Sequence, residues 1–470
     1  MKISASILDK ALPDLKKIDE LLNEAISKDD HVFVVLDDDP TGTQCVHDIN
    51  VYTAFDTATL KEAFQNDRLF FLLTNSRAMS AEETTALHKQ ICENVAAAAN
   101  QENKKYLYIS RGDSTLRGHY PLETDILAEG LRKEYGKVDG HILMPFFKEG
   151  GRFTIDDVHY VKYGEELIPC AETEFAQDKT FGYHSSDLKE YIEEKSQGLI
   201  KKEEVVSISL DELRAVDIDS VTKKLTACHD GTRLIVNAID QCDVKVFAIA
   251  FYKALSEGKI FSIRSAAALV KALGGISDRE LLSHEEMIEE DNPNGGIVVV
   301  GSHTAKTTRQ LEELLKLDKL EAVEFHSSAI LESQEAFFAE VKRCVEKESA
   351  IISSGRTPVV YTERKLLSLP DDSRQDALDR SVKISEGVYH LVKDLRIKPS
   401  FVLAKGGITS ADVATKGLNI RKGYVLGQIM PGIPVWKADE NSRFKDIPYI
   451  VFPGNVGEDD TLKKAVEKLL

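Results

Sequence analysis

FVVLDDDPTGTQ (Phe33–Gln44) runs from an apolar stretch straight into three consecutive aspartates, a proline and a Thr-Gly pair. A continuous apolar run of this length reads as a strand buried on both faces. In an open α/β sheet, ligands gather outside the carboxyl ends of such strands. Adjacent like charges cost stability unless a cation, a donor network or a ligand uses them. Asp38, Asp39 and Thr41 are therefore read as site residues, able to orient hydroxyls, bind a divalent cation or accept a proton. The bland alternative is an acidic turn that caps the next element.

The surrounding chain repeats the alternation. HVFVVL, NVYTAF, RLFFLLT, KKYLYIS and HILMPFF are strand-like. Between them lie SAEETTALHKQICENVAAAAN, with Ser80 and Glu83 at capping-box spacing, and YPLETDILAEGLRKEYG. EEMIEEDNPNGG (Glu285–Gly296) has linker chemistry, charged and then rich in Asn, Pro and Gly. A second series follows: GIVVVGS, TAKTTRQLEELLKL, AVEFH, EAFFAEVKRCVEKE, TPVVYTE, a helical stretch from about Asp371 to Ile397, and SFVLAKGG. The expectation is two α/β domains with largely parallel sheets, residues 1–285 and 297–470, joined by 286–296.

Composition bounds the function. The chain of 470 residues is 42% hydrophobic, enough to bury full cores, and its formal charge is −18. That charge argues against a nucleic-acid or anionic-membrane binder but leaves room for a small anionic ligand held by local cations. No apolar run reaches spanning length and the N-terminus does not read as a signal peptide. Six cysteines without a CxxC pair read as reduced thiols, so a cytoplasmic location is expected.

Three further strands end in polar turns. TNSRAMS carries Arg77. ISRGDSTLRGH carries Arg111, Asp113, Ser114, Thr115, Arg117 and His119. MPFFKEGGRFT carries Lys148 and Arg152. Guanidinium groups with hydroxyls between them suit a carboxylate or a phosphate. His119 and His159 stand alone and read as structural. In the second half, VVVGSHTAKTT, FVLAKGGITSAD and VFPGNVGEDD each place glycines between a strand and a helix, where free N–H groups cradle phosphate. None is a Walker P-loop, and no aromatic residue is identified as a base platform.

Taken together, DDPTG (Asp38–Gly42), NSR (Asn75–Arg77), RGDSTLRG (Arg111–Gly118), GGR (Gly150–Arg152), GSHT (Gly301–Thr304), KGGIT (Lys405–Thr409) and GNVG (Gly454–Gly457) stand in the order of one family. The sequence resembles the four-carbon acid sugar kinases across roughly residues 30 to 465. The resemblance implies ATP- and Mg²⁺-dependent phosphorylation of the terminal (C4) hydroxyl of threonate, erythronate or 3-oxo-tetronate. It implies an N-terminal acid-sugar domain and a C-terminal nucleotide domain with the active site in a cleft between them. Asp38 or Asp39 would be catalytic. Thr41, Arg77, Arg111, Asp113, Ser114, Arg117 and Arg152 would bind the sugar acid, with Arg77, Arg111 and Arg117 favoured for its carboxylate. Ser302, Lys405, Gly406, Gly407, Ile408, Thr409, Gly454 and Gly457 would hold the nucleotide, and Lys148 or Lys405 would stabilise the transferring charge. The metal ligands stay open, and a homodimer is compatible.

The chain departs from the family pattern at Thr43-Gln44-Cys45, at Arg111 and at Asp156-Asp157, all on the substrate side. Two other readings stay open. Asp37-x-Asp39-x-Thr41 also fits the aspartate nucleophile of haloacid-dehalogenase-type phosphatases, with Asp37 attacking. A non-catalytic ligand-binding homologue is the other.

Overall fold

The computed structural model describes residues 2–289, 291–364, 367, 374–454 and 456–470, and only the backbone of 374–378. Positions 371–373, where the long helical stretch was expected to start, Asn455 of the GNVG turn and Glu290 of the linker stretch lie outside the described residues. The chain is α/β and divides into two compact units, residues 1–42 with 54–278, and residues 43–53 with 279–470.

The first unit is built on seven parallel strands in the order Val206–Ile208, Thr232–Val236, Gly140–Met144, Phe261–Ser265, Lys105–Arg111, His31–Asp37, Leu69–Leu73. Every residue of His31–Asp37 is buried, as its unbroken apolar pattern requires. The helix Ala81–Glu102 starts at the expected capping box. The Glu83 N–H donates to Ser80 Oγ (3.2 Å) and the Ser80 N–H to Glu83 Oε2 (2.8 Å). The edge-to-face pairs Phe64–Phe70 (5.5 Å) and Phe64–Tyr106 (6.1 Å) pack the helix Thr57–Asn66 onto the sheet. A smaller antiparallel sheet, Ile3–Ser4, Glu166–Pro169, Val158–Tyr163 and Arg152–Ile155, belongs to the same unit.

The second unit orders its strands Ile49–Tyr52, Lys422–Met430, Ile433–Ala438, Pro448–Phe452, Val402–Lys405, Ile297–Val300, Thr357–Thr362, Leu320–Phe325. The last five are mutually parallel, and the first three pair antiparallel. Residues 279–289 already pack here: the Leu282 side chain is buried with Val298, Leu403 and Ile450. Trp436, the chain's one tryptophan, is wholly buried and donates its indole N–H to Thr43 Oγ1 (3.0 Å). All six cysteines are buried and none is in a disulfide. Among the described residues no helix is long and apolar enough to cross a membrane.

Candidate functional site

Register decides which strand ends meet. In the first unit Asp37 lies opposite both Leu73 and Arg111, Arg111 opposite Ser265, and Ser265 opposite Met144. Parallel pairing therefore gathers the DDPTG, NSR and RGDSTLRG turns on one rim. In the second unit Val300 lies opposite Lys405 and Tyr361, and Lys405 opposite Phe452. The Gly301, Gly406 and Gly454 turns share a rim in the same way.

On the first rim the three aspartates have three different surroundings. The Asp37 side chain is 1% exposed, its carboxylate lies 3.5 Å from Arg111 Nη1, and both of its oxygens lack a hydrogen-bond partner. Burial pushes this carboxyl well above its ordinary pKa, with Arg111 only partly opposing. Asp38 is gripped by a fork: Arg77 Nη2 donates to Oδ1 (2.6 Å) and Nε to Oδ2 (3.2 Å). Asp39 is half-buried. It accepts from the Thr41 N–H (2.9 Å) and keeps Oδ2 at 3.5 Å from Arg77 Nη1, so it is the acid of the three best placed to meet a ligand.

Asp113 joins this lattice. Arg117 Nε donates to its Oδ2 (2.7 Å), Thr115 Oγ1 donates to the same oxygen, and Arg77 stands at 4.0 Å. Burial would raise the Asp113 carboxyl, but Arg117 and Arg77 hold it well below the usual range. The Ser114 carbonyl accepts from His159 Nε2 (2.8 Å), whose other ring nitrogen meets Thr154 Oγ1 (3.0 Å); burial lowers this histidine to about 4. It is a structural histidine, as is His119, bonded to the Met79 carbonyl (3.0 Å). Arg152 lies over one side of the Phe175 ring (5.4 Å), and Arg117 lies at 5.2 Å from the same ring. Lys148 is tied to Asp240 at 2.5 Å.

Beneath the rim sits a network that the sequence motifs do not reveal. Arg264, 5% exposed, donates to Glu123 (2.8 Å), Ser110 Oγ (3.1 Å) and the Arg117 carbonyl (3.0 Å). Glu123 in turn accepts from Ser76 Oγ (2.6 Å). A Cβ at Gly112 would stand 2.2 Å from the Arg264 guanidinium carbon, so the RGDST turn can lie on this arginine only because glycine is there. A lone arginine within FSIRSAAALV was the available signal.

On the second rim, Thr304 caps the helix Ala305–Leu314 by accepting from the Thr307 N–H (3.3 Å), and Ser302 Oγ accepts from Thr307 Oγ1 (3.3 Å). Gly406 takes φ +117°, where a side chain is strained, and a Cβ there would come within 3.3 Å of Ser302. A cavity of about 330 Å³ opens beside the Gly301–Ser302, Gly406–Thr409 and Gly454 turns. Its far wall includes Ile384 and Val388, four residues apart on the helix Arg374–Lys393. Ile408 is 58% exposed at its mouth, and no Phe, Tyr or Trp is among the described residues that line it. Lys405 is fully buried. Its ammonium donates to the Pro453 (2.7 Å) and Gly454 (3.1 Å) carbonyls and lies 4.5 Å from the Phe452 ring centroid. Burial, with Lys306 nearby, lowers it to about 7. Lys306 Nζ donates to the Gly457 carbonyl (2.8 Å).

Among the described residues, the acids and histidine close enough to share a metal are Asp29, Asp30 and His31, at the opposite end of the strand from Asp37. The aspartates of the rim do not converge in that way.

These two rims correspond to two known domain families. Residues 33–273 match the sugar-binding N-terminal domain, and residues 297–462 match the nucleotide-binding C-terminal domain. The chain belongs to the four-carbon acid sugar kinase family. A relative named D-erythronate kinase, from Heliobacterium modesticaldum, is 25% identical to this family member over 296 residues. The aligned part covers 59% of this chain and 59% of that relative, less than two thirds of its length. Two solved structures share the fold. One, from Salmonella typhimurium LT2 and described as a candidate tRNA synthase, has a TM-score of 0.66 at 15% identity, covering 92% of this chain and 98% of that one. The other, a Haemophilus influenzae protein described as DUF1537, has a TM-score of 0.60 at 16% identity, covering 93% and 100%.

Proposed function

We propose that the protein transfers the terminal phosphoryl group of ATP to the C4 hydroxyl of a four-carbon sugar acid such as erythronate, threonate or a 3-oxo-tetronate. One observation carries this reading: two strand rims of complementary chemistry in one chain. The first is an aspartate–arginine lattice suited to a hydroxylated anion. The second is a set of glycine turns around a cavity with an aliphatic wall, suited to a nucleotide. The kinase name of the relative supports it.

Asp39 would accept a hydrogen bond from the terminal hydroxyl and take its proton as the oxygen–phosphorus bond forms and ADP leaves. Asp38, held by Arg77, would keep that turn in place. The N–H groups of the Gly406–Thr409 turn and Ser302 would meet the triphosphate, with Lys405 as a buried positive charge behind the turn, and cationic positioning of this kind is most of what phosphoryl transfer requires. Neither rim offers a three-carboxylate set among the described residues, so no protein ligand is assigned to magnesium, which would supply charge neutralisation of the triphosphate. A phosphoaspartate mechanism on Asp37 is disfavoured, because that carboxylate is 1% exposed.

The test is ADP release across threonate and erythronate stereoisomers and 3-oxo-tetronates, with free phosphate followed in parallel from their 4-phosphate esters without ATP. ADP release with one of these acids is expected. Asp39→Asn is expected to lower turnover by about 10²- to 10⁴-fold, the usual worth of a general base, with ATP affinity retained. Phosphate release without ATP would move the reading to a phosphatase. Nucleotide binding without ADP from any acid would move it to a non-catalytic homologue.

A further inference from the structure

The arginines of the first rim look alike in sequence but differ in what neutralises them. Arg77 has Asp38 at 2.6 Å, Asp39 at 3.5 Å and Asp113 at 4.0 Å. Arg111, 4% exposed, has Asp37 at 3.5 Å. Arg117 has Asp113 at 2.7 Å and Asp178 at 3.9 Å. Arg264 has Glu123 at 2.8 Å and is buried beneath the rim. Each of these arginines has a carboxylate of the protein within 3.5 Å, so an incoming carboxylate would share it with that group.

Arg152 is different. Among the described residues no carboxylate lies within ion-pair distance of it. Its Nη1 donates to the Gly150 carbonyl, and its Nε is buried without a hydrogen-bond partner. The guanidinium lies 5.4 Å from the Phe175 ring centroid, and the residue is half-buried. Burial works against its charge, and Asp113 offsets this only in part. A half-buried cation without a counter-ion gains more from an arriving anion than a neutralised one does.

The contacts also give an order. Arg152 and Arg117 share Phe175, Arg117 holds Asp113, and Arg77 bridges Asp113 to Asp39. A cation in want of an anion stands at one end of that chain, and an accessible carboxylate at the other. A four-carbon acid has the matching polarity, a carboxylate at one end and the hydroxyl to be phosphorylated at the other.

Resting on the kinase reading above, we propose that Arg152, backed by Phe175, takes the substrate's carboxylate, while Arg77 and Arg117 hold the aspartates that receive its hydroxyls. Arg152 thereby sets the preference for acids over neutral polyols.

The test compares binding of erythronate and of its neutral amide by calorimetry, in the wild-type protein, Arg152→Met and Arg152→Lys. Melting temperature and ATP affinity of each preparation report folding. Arg152→Met is expected to weaken erythronate binding by about 10- to 100-fold, the worth of a charge-assisted pair, and amide binding by less than twofold. Arg152→Lys keeps the charge without the fork and is expected to fall between, again for the acid alone. If the methionine variant fails to fold, the lysine variant carries the same comparison. An equal loss for acid and amide, or no loss for the acid, overturns the proposal. Binding is read apart from turnover, so the two readings fail separately. Acid-selective loss without ADP release keeps this anchor and removes the kinase. ADP release without acid-selective loss does the reverse. Wild-type protein that binds none of erythronate, threonate and the 3-oxo-tetronates overturns both.

Discussion

Lys405 shows how much one residue's surroundings set its chemistry. In the sequence it is a lysine before two glycines; in the fold its ammonium is buried between two carbonyls, with a pKa lowered to about 7. At pH 8 it is mostly neutral in the free protein. A triphosphate bound at the adjoining glycine turn would favour the charged form and raise the pKa again. Nucleotide binding at pH 8 is therefore expected to take up a fraction of a proton, and affinity to fall as pH rises from 7 to 8.5. Calorimetry in buffers of different ionisation enthalpy measures that uptake, and Lys405→Met should abolish it. An uptake unchanged in the methionine variant would place the proton elsewhere.

At the scale of elements, the strand Phe261–Ser265 determines how the first rim is supported. It enters the sheet between Gly140–Met144 and Lys105–Arg111 and so brings Arg264 beneath loops some 150 residues earlier. Glu123, 2% exposed, is its counter-ion, and against the cost of burial Arg264 and His88 hold that carboxyl below its ordinary pKa. Glu123→Leu leaves a buried arginine unpaired and is expected to cost about 3–5 kcal/mol in a denaturant titration. The double variant with Arg264→Met should recover much of that loss. This network was illegible in the sequence for a physical reason. Strand order is set by long-range packing, and an arginine inside an apolar run looks the same whether or not an acid awaits it. The turns were legible because their chemistry is local. A strand that ends in Asp, Arg or Gly-Gly announces a rim, and parallel pairing then makes the rims coincide. The aliphatic wall at Ile384 and Val388 falls between these cases: its spacing is helical, but nothing local says it faces glycine turns. The charge accounting that separates Arg152 from Arg77, Arg111 and Arg117 needed distances that no spacing supplies.

For the molecule as a whole, the chain leaves the first unit after Gly42, contributes Thr43–Thr53 to the second, and returns at Ala54. The strand Ile49–Tyr52 pairs with Lys422–Met430, and Thr43 accepts the only tryptophan's indole N–H. A fragment of residues 279–470 thus lacks a strand and uncovers Trp436, whose indole N–H loses its Thr43 partner. Such a fragment is expected to aggregate or to show an exposed, red-shifted tryptophan emission. Linking residues 43–53 to it should restore a buried spectrum; a compact fragment without them would refute this. The same threading has a consequence in time. Thr53 donates its hydroxyl to the Ile420 carbonyl across 367 residues, so at roughly 5–20 residues per second on the ribosome the segment waits about 20 to 70 s for its partner. All seven strands of the first sheet have been made by then, and Ile49–Tyr52 cannot complete its pairing with Lys422–Met430 until translation nears its end.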